Sequence, residues 1–509
     1  MKRLRENLKN VHFNALAYGH MKMKSDIWSE QYGVMSLSTI IGSKSKVLAI
    51  TVAAVIAVAA MVVAVHADPS DGPSKEELLM DALVYTYPMV LVEKTIETQS
   101  NTVLPNYDAG NAPINQFIHT QHLSNSEFKD FTMPNVDTIY SFLNYDVSDE
   151  PFVLIIPDPD RFMNTQILNA WIDVFKVYGD AGEEHTEIII CSKDCDTDFG
   201  NDAEVARSVT DRGIVAIRTM VKDATDMANV IAIQNEMDFI PWSHYDSETP
   251  YTPPEGEFDP ARDFIPHDAV EAMSMQEYFD LANKMMLANH PYAADAKILR
   301  KLSRINVGPG MEFDEKIFGE GSETIWEEMM KGLYDHTLPY GAKFTITDEI
   351  WRYRWDPIAD FGTEYEYRAF IAYTGYVANP TSVALYVTTI TDSFRDPING
   401  SNSYKVHFEP GQFPPVKDNG FWSLTVYGSD YFLIDNAIDR YSVSDRMEPK
   451  LIENSDGSVD ILLSSTQPED VTNWLPIKGE GILLTIRIYI PDLDIINGGW
   501  KCPIIIPAE

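Results

Sequence analysis

Cysteine is scarce in this chain of 509 residues, which contains only Cys191, Cys195 and Cys502. Three cysteines are too few for a disulfide framework, so the stability of the fold must come from an apolar core. Cys191 and Cys195 lie four positions apart, which makes them a candidate disulfide across a short loop in an oxidising compartment. No set of His and Cys at zinc spacing accompanies them, and the sequence predicts no metal centre.

The short motifs of the common enzyme classes are also missing. The chain has no Gly-x-Ser-x-Gly, no His-Glu-x-x-His and no phosphate-binding glycine loop. These motifs place a nucleophile, a zinc ion or a nucleotide phosphate in the corresponding enzymes. Their absence argues against the familiar hydrolase and nucleotide-binding classes without excluding other catalysts.

Basic residues are few, with 39 Lys and Arg against 77 Asp and Glu and a formal net charge of −38. Nucleic acids and anionic lipid surfaces are bound through clusters of Lys and Arg, and no basic stripe is present. We therefore predict no nucleic-acid partner and a solubilising acidic surface. Apolar residues make up 45% of the chain, which is enough for a large packed core.

One long hydrophobic run stands near the N-terminus, where Val47–Val65 gives 19 uncharged residues in succession. At about 1.5 Å per residue, a helix of this length spans most of a ~30 Å hydrocarbon core. Lys44 and Lys46 precede the run and Asp68 follows it. The positive-inside rule then predicts a cytoplasmic basic segment at 1–46, a single-pass anchor in the cell membrane and an external remainder.

A cleaved signal peptide is the alternative interpretation of the same run. Val65-His-Ala67 resembles a small-residue cleavage site, and cleavage near Ala67 would give a secreted protein. Met35 is a second candidate start, from which the segment has the form of a long signal sequence. Both interpretations place the bulk of the chain outside the cytoplasm.

Periodicity divides the remainder into β-rich and helical stretches. A linker and helix over 68–99 begin with a capping box at Ser74 and Glu77, and short apolar strands fill 100–245. A linker and helices follow over 246–345, and strands with turn signals occupy 346–509. The predicted fold is mainly β with α: two β-sandwich or jelly-roll-like modules joined by a helical segment, after one N-terminal transmembrane or signal helix.

A dense polar segment, Pro134–Ser141, holds residue types suited to acid–base chemistry. His119 and Asp137 are the right types for a general base and its orienting carboxylate, Tyr140 lies beside them in sequence, and Arg161 suits an anionic group. These four residues are the candidate catalytic set. The alternative is a buried hydrogen-bond network that fixes the turn.

Aromatic and arginine side chains of the C-terminal stretch suggest a binding groove. Aromatic rings combine apolar area with a polar edge, which suits a small-molecule, glycan or lipid ligand. The candidate ligand-binding residues are Asn135, Trp171, Asp173, Trp422, Tyr427, Arg440, Trp474, Arg487 and Tyr489. The alternatives are core packing for the aromatics and ion pairs with Asp or Glu for the arginines.

The acidic segment after Cys191 resembles the start of a calcium loop, because Asp194, Asp196 and Asp198 alternate. The glycine falls at Gly200, one position late, and Val205 occupies the place of the closing acid. We expect no resident cofactor, and loose surface calcium is the one ion that this pattern suggests.

Two groups of motifs carry a resemblance to known families. The N-terminal module resembles the domain of unknown function numbered 1254 through Asn115–His119, Pro134–Ser141, Arg161-Phe162 and Trp171–Asp173. The C-terminal module resembles its usual partner, the domain of unknown function numbered 1214, through Tyr373–Asn379, Pro414–Val416, Gly420–Tyr427, Arg440-Tyr441, Asp456–Ser458, Asn473–Pro476 and Arg487–Pro491. The resemblance implies two β-sandwich modules joined by helices, often exported. It brings no reaction, substrate or catalytic residue.

Two functions follow as hypotheses. The first is a non-catalytic envelope protein that binds a ligand or partner through an aromatic groove. The second is a hydrolase-like envelope enzyme that uses His119, Asp137, Tyr140 and Arg161. They differ in one structural expectation, because the enzyme needs these side chains to converge in an open pocket.

Overall fold

The structure is a computed structural model that describes residues 72–508 except 130, 131, 181, 183, 224, 355–357 and 496. The predicted membrane or signal segment, Val47–Val65, lies outside the described residues. Within them, no helix combines the length and the hydropathy that crossing a bilayer would require. The described chain is mainly β with α, with several sheets in two modules, which confirms the predicted class.

The N-terminal module contains two sheets that bury an apolar layer between them. Leu143, Ile167 and Val215 of one sheet pack in this layer with Leu154 and Ile188 of the other. The five-stranded sheet has the order β1-β2-β8-β4-β5, and the four-stranded sheet has the order β7-β6-β3-β9. The strands are β1 Phe117–His119, β2 Thr138–Asp146, β3 Phe152–Ile155, β4 Met163–Asn169, β5 Val174–Gly179, β6 Glu187–Ser192, β7 Val205–Ser208, β8 Arg212–Met220 and β9 Asp238–Pro241.

The C-terminal module repeats this plan with a larger pair of sheets. A six-stranded sheet in the order β10-β11-β12-β18-β14-β15 and a four-stranded sheet in the order β17-β16-β13-β19 share one core. The strands are β10 Thr345–Asp348, β11 Trp351–Arg354, β12 Ala384–Thr389, β13 Tyr404–Phe408, β14 Val416–Tyr427, β15 Ser442–Ser444, β16 Val459–Ser464, β17 Trp474–Pro476, β18 Leu483–Pro491 and β19 Ile504–Pro507.

The helix Lys75–Gln99 and the helices between residues 266 and 375 form a separate layer with its own core. The α-helices are α1 Lys75–Gln99, α2 Met227–Gln234, α3 Trp242–Asp246, α4 Pro266–Glu271, α5 Met275–Ala288, α6 Ala296–Leu302, α7 Ser322–Lys343 and α8 Tyr365–Gly375, with short 3₁₀ turns at Pro260–Arg262, Ala293–Asp295, Ser303–Ile305, Glu315–Phe318 and Leu493–Ile495. Helix α1 is buried along most of its length and contacts α4, α5, α6 and α8. Helix α8 belongs to this layer although it lies within the predicted C-terminal segment 346–509.

Helix α1 starts at the predicted capping box and continues past its internal proline, Pro88. The Ser74 side chain accepts from the Glu77 amide while Glu77 accepts from the Ser74 amide, which is the predicted capping box. Pro88 removes one helical hydrogen bond but does not end the helix, which continues to Gln99. Both flanking turns are buried, so tertiary packing holds the helix together across the proline.

The two modules meet through the outer faces of their larger sheets. One half of the outer face of the five-stranded sheet packs on α1 through Phe142, Ile214 and Ala216. The other half faces the six-stranded sheet, where Phe162 contacts Phe421 and Tyr489. Strands from both modules therefore enclose a common space, and the polar residues of the candidate site lie there.

Candidate functional site

The outer face of the six-stranded sheet is polar at its centre. Tyr386, Arg487 and Ser423 stand side by side on β12, β18 and β14, because the registers pair Arg487 with both of the others. Thr485 and Thr425 form the next row on the same face. Side chains alternate along a strand, so Leu385, Ile486 and Leu424 point into the module core.

The five-stranded sheet supplies the opposing side chains. Tyr140 and Arg218 are register partners on β2 and β8, and the amide of Gln166 on β4 donates to Asn379 at 2.6 Å. We call the enclosed set the inter-sheet polar layer. It consists of Asn135, Asp137, Tyr140, Gln166, Arg218, Asn379, Tyr386, Ser423, Thr425, Tyr427, Arg446, Thr485, Arg487 and Tyr489.

The loop before β2 inserts into this layer and is held by the C-terminal module. Arg487 Nη2 donates to the Met133 carbonyl at 3.0 Å, and the Tyr427 hydroxyl donates to the Pro134 carbonyl at 2.8 Å. Met133 has a φ of 54°, a left-handed conformation that costs energy for a side chain with a Cβ. The contacts from the second module stabilise this conformation.

Asn135 and Asp137 then connect the two sheets directly. Asn135 Nδ2 donates to the Tyr140 hydroxyl at 3.2 Å and to the Tyr489 hydroxyl at 3.0 Å. Asp137, which is 1% exposed, accepts from Ser423 Oγ at 2.5 Å and from Arg446 Nη2 at 2.7 Å. The predicted turn motif is therefore the polar joint between the modules.

Arg218 is the least compensated charge of the layer. It is 4% exposed, donates from Nη2 to the Val377 carbonyl at 2.6 Å and lies 5.4 Å from the Tyr140 ring centre. Its Nε and Nη1 have no acceptor among the residues that the structure describes. Burial raises the pKa of the Tyr386 hydroxyl, and the charges of Arg218 and Arg487 oppose that rise, so both guanidinium groups lie near this ring.

The positive charges of the layer exceed its negative charges on the Arg218 side. Arg446 takes Asp137 as its partner, while Arg487 donates to Thr425 Oγ1, Tyr427 and a main-chain carbonyl. Asp445 directly precedes Arg446 in the chain, and burial raises the pKa of its carboxyl to about 6. Neither Arg218 nor Arg487 has an ion pair within the described part of the chain.

His119 does not join Asp137. It pairs in register with Ser141, and its Nδ1 lies 2.8 Å from Ser141 Oγ. Asp137 precedes Ser141 by four residues of extended chain, a separation of roughly 13 Å. Burial lowers the pKa of His119 to about 4, so its imidazole is neutral at pH 7.

Arg161 is also engaged elsewhere. Its Nη1 lies 2.5 Å from Asp226 Oδ2, both side chains are at least nine-tenths buried, and Asp226 precedes helix α2. Burial raises the pKa of the Asp226 carboxyl, but hydrogen bonds from Lys222, Asn229 and Arg161 outweigh burial and lower it. The structure therefore does not assemble His119, Asp137 and Arg161 into one open pocket, and the hydrolase hypothesis loses the arrangement on which it depends.

Trp171 and Asp173 belong to a second buried group, which we call the Arg368 cluster. Arg368 is fully buried, and its guanidinium lies over the rings of Tyr85, Trp171 and Tyr365 at 5.1–5.5 Å. Burial raises the pKa of the Asp173 carboxyl and the Arg368 charge opposes that rise. The cluster comprises Tyr85, Trp171, Asp173, Tyr292, Asp295, Tyr365 and Arg368.

The aromatic residues of the predicted groove do not lie on a single surface. Trp422 lies in the core between the two sheets of its module, whereas Tyr427 and Tyr489 lie on the opposite face of β14 and β18, in the inter-sheet polar layer. Trp474 is buried on β17 and donates to the Ser464 carbonyl. Strand alternation separates these rings, because odd and even positions face different layers.

Among the residues that the structure describes, Arg440 and Arg487 form none of the expected ion pairs. Arg440 donates from Nη1 to the carbonyls of Val471, Thr472 and Trp474. Burial lowers the pKa of the Arg440 guanidinium. Of the predicted ligand-binding residues, Asn135, Tyr427, Arg487 and Tyr489 meet in one place, together with Asp137 and Tyr140 of the predicted catalytic set.

The acidic loop after β6 shows no calcium site. In the part of the chain that the structure describes, no group of three or more His, Cys, Asp or Glu side chains is arranged to hold a metal ion, and this includes Asp194, Asp196 and Asp198. The loop instead forms part of the wall of an acidic cleft of about 920 Å³. Lining residues from both modules include Asp158, Asp180, Glu187, Asp202, Glu204 and Asp418.

Sequence reasoning missed Arg218, Tyr386 and Arg446. One signal was present, since Arg218 is the only charged residue inside the apolar segment Ile214–Thr219. A lone arginine within a strand that is otherwise buried needs partners or a ligand. Tyr386 and Arg446 carry no such local signal, because their role depends on which strands become neighbours.

Two family models match the chain, one over each module. The family described as a protein of unknown function (DUF1254) matches residues 114–241, and a second family with the same description (DUF1214) matches residues 383–493. The chain carries both domains in tandem. This confirms the resemblance given above, and it assigns Arg218 to the DUF1254 domain and both Tyr386 and Arg487 to the DUF1214 domain.

A solved structure with a TM-score above 0.5 shows that the fold is shared. The chain is similar to the VPA0106 protein from Vibrio parahaemolyticus, with a TM-score of 0.64 and 20% identity over 86% of this chain and 100% of that one. An uncharacterized protein from Burkholderia cenocepacia gives a TM-score of 0.37 and 11% identity over 84% of this chain and 87% of that one. No curated protein matches the chain.

Proposed function

We propose that this DUF1254–DUF1214 protein is a non-catalytic, membrane-anchored protein of the cell envelope that binds an anionic small molecule between its two modules. The ligand is a small molecule, glycan or lipid headgroup that carries a carboxylate, phosphate or sulfate. Its anionic group sits against Arg218, with Tyr386 and Arg487 at its other side.

One observation carries the proposal: the buried Arg218 guanidinium has two unpartnered N–H groups and no carboxylate partner among the residues that the structure describes. A buried charge that lacks both a counter-ion and full hydrogen bonding is costly by several kcal/mol. The guanidinium fork matches oxyanions in geometry and charge. An oxyanion at Nε and Nη1 supplies the acceptors that the protein does not.

The surroundings of Arg218 support the same ligand class. Tyr386 accepts from Asn379 Nδ2 at 2.7 Å, and the described hydrogen bonds leave its hydroxyl hydrogen available to an anion. Arg487 lies over that ring, 5.9 Å from its centre. Because the residues come from both domains, a bound anion also contributes to holding the modules together.

The test measures thermal unfolding of the full-length protein in sodium phosphate, sulfate, acetate and citrate, with chloride at the same ionic strength as the reference. An oxyanion at a hundred times its Kd stabilises the folded state by about 2.7 kcal/mol. We expect at least one of the four to raise Tm over chloride in the wild type. Arg218→Gln should abolish that rise, and Arg218→Lys should reduce it, since lysine keeps the charge but loses the fork.

Arg440→Gln is the matched control, because Arg440 is a partly buried arginine of the same protein that donates to carbonyls outside the layer. It should keep the full oxyanion effect. Equal Tm rises in the wild type and Arg218→Gln would refute the proposed site. The site is refuted as well if none of the four oxyanions raises the wild-type Tm above the chloride value.

The location rests on the hydrophobic run Val47–Val65 and the basic residues before it. Fractionation of the full-length protein with an N-terminal tag tests this part separately. We expect membrane association and external protease access to the segment after Asp68. A soluble external product that begins at Asp68 would select the signal-peptide alternative, and a cytoplasmic product would overturn the topology.

A further inference from the structure

Cys191 and Cys195 face each other at the end of strand β6. The Cys195 amide donates to the Ser192 carbonyl at 3.1 Å, which turns the chain back on the strand. Arg207, the register partner of Cys191 on β7, donates to the Cys195 carbonyl at 2.8 Å. Its Nη1 lies 3.7 Å from Cys191 Sγ.

The two thiols differ in access and in acidity. Cys191 is buried and Cys195 is half-buried. Burial raises the pKa of the Cys191 thiol to about 12. Burial also raises the pKa of Cys195, but hydrogen bonds from Thr197 and Cys191 and the nearby Arg207 charge outweigh it and lower the pKa. Thiol–disulfide exchange needs an accessible thiolate as the attacking group, and Cys195 meets that requirement.

We propose that Cys191 and Cys195 form a redox-active dithiol that exchanges with disulfides, with Cys195 as the attacking and Cys191 as the resolving thiol. The Cys195 thiolate attacks one sulfur of a low-molecular-weight or protein disulfide and displaces the first thiolate. That thiolate takes the proton of Cys191. Cys191 then attacks the Cys195 sulfur and displaces the second thiol, so two thiols are oxidised and one disulfide is reduced.

The experiment treats reduced full-length protein with oxidised glutathione and maps the cysteine peptides by mass spectrometry. We expect an internal Cys191–Cys195 disulfide in the wild type. Cys191→Ser should instead accumulate a glutathione mixed disulfide on Cys195, because the resolving thiol is gone. Cys195→Ser should leave Cys191 largely unreacted at native pH.

Cys502 is the internal control, since it is buried and burial raises the pKa of its thiol. It should stay reduced in every variant under native conditions. A second readout is the pH profile of iodoacetamide labelling at Cys195, which Arg207→Gln should shift to higher pH. The proposal fails if the wild type forms no internal disulfide, or if Cys191 reacts as fast in Cys195→Ser as Cys195 does in Cys191→Ser.

Discussion

Arg218 and Arg368 present the same side chain in two different settings. Each is at most 4% exposed, each donates from Nη2 to a main-chain carbonyl, and each leaves Nε and Nη1 without an acceptor among the described residues. Arg368 lies over three aromatic rings and offsets the charge of Asp173. Arg218 lies over one ring, and its neighbour in the layer is a second arginine.

The difference separates a structural arginine from a candidate binding arginine. Around Arg368, the cluster contains the carboxylates of Asp173 and Asp295, so negative charge is present to balance the guanidinium. Around Arg218 no comparable carboxylate is present within the described residues. Burial alone therefore does not identify a site; the imbalance of charge does.

The largest effect is expected for Arg368→Met. Removing this charge leaves Asp173 buried without its compensating partner, which typically costs about 3–5 kcal/mol. The carboxyl should then become protonated more readily, so the loss should be smaller at acidic pH than at pH 7. Urea denaturation at both pH values measures the change. A loss below about 1 kcal/mol at pH 7 would show that Arg368 is not the balancing charge of its cluster.

Asp137→Asn tests how much the carboxylate of the inter-sheet polar layer contributes to stability. It removes the carboxylate that pairs with Arg446, whose side chain is 17% exposed, and we expect a loss of about 2–3 kcal/mol in urea denaturation. Asp146→Asn is the control at the other end of β2, where the partner Arg212 is 39% exposed. A surface pair of this kind contributes at most about 1 kcal/mol. Equal losses in the two variants would contradict the special role of Asp137.

Several residues of the inter-sheet polar layer could be identified from the sequence, but their partners could not. Asn135 and Asp137 were identified from one local segment, and Tyr427, Arg487 and Tyr489 from their aromatic and arginine side chains in the C-terminal stretch. All five meet in the inter-sheet polar layer. His119 and Arg161 were grouped with them because the types suit catalysis, but strand register keeps His119 beside Ser141 and Asp226 takes Arg161. Residue type predicts local chemistry, whereas the neighbours depend on sheet pairing across hundreds of residues.

The fold class could be predicted because it depends largely on local sequence signals. Capping boxes at Ser74 and Ser274 are local signals, and both mark the starts of observed helices. Helix α8 was not expected within 346–509, because burial in the helical layer overrides local patterning. The sequence shows Arg218 as a lone charge in an apolar strand. It does not show that Tyr386 on β12 becomes its neighbour.

His119 is buried like the two arginines, but its side chain is neutral at pH 7, whereas theirs are charged. Its pKa is about 4 in the folded protein against 6.5 when unperturbed, so the unfolded state binds more protons between those pH values. Stability is therefore full above about pH 6.5 and falls as the pH drops towards 4, by up to about 1.4 kcal/mol per pH unit for each such group. His267, whose pKa burial also lowers to about 4, adds a second contribution.

His119→Gln should remove one of these two contributions to the acid slope of unfolding free energy. Urea denaturation of this variant and of the wild type at half-unit steps from pH 4 to 7 measures the slope. An unchanged slope in His119→Gln would mean that this histidine is not held neutral by its burial.

The smallest effect is expected for Arg218→Met in chloride. Replacing a buried, uncompensated charge by an apolar side chain of similar length is often neutral or stabilising. We expect a change within about 1 kcal/mol of the wild type, against the large loss in Arg368→Met. A loss of about 3 kcal/mol or more in both variants would erase the distinction between the two arginines.

The most direct measurement is anomalous diffraction at the selenium edge from crystals of the protein grown in sodium selenate, an oxyanion with the shape of sulfate. We predict a peak between Arg218 and Tyr386, with selenate oxygens within hydrogen-bond distance of Nε and Nη1, and no such peak in Arg218→Gln. Selenium peaks confined to surface arginines, with the wild-type Arg218 fork occupied by water alone, would contradict the account.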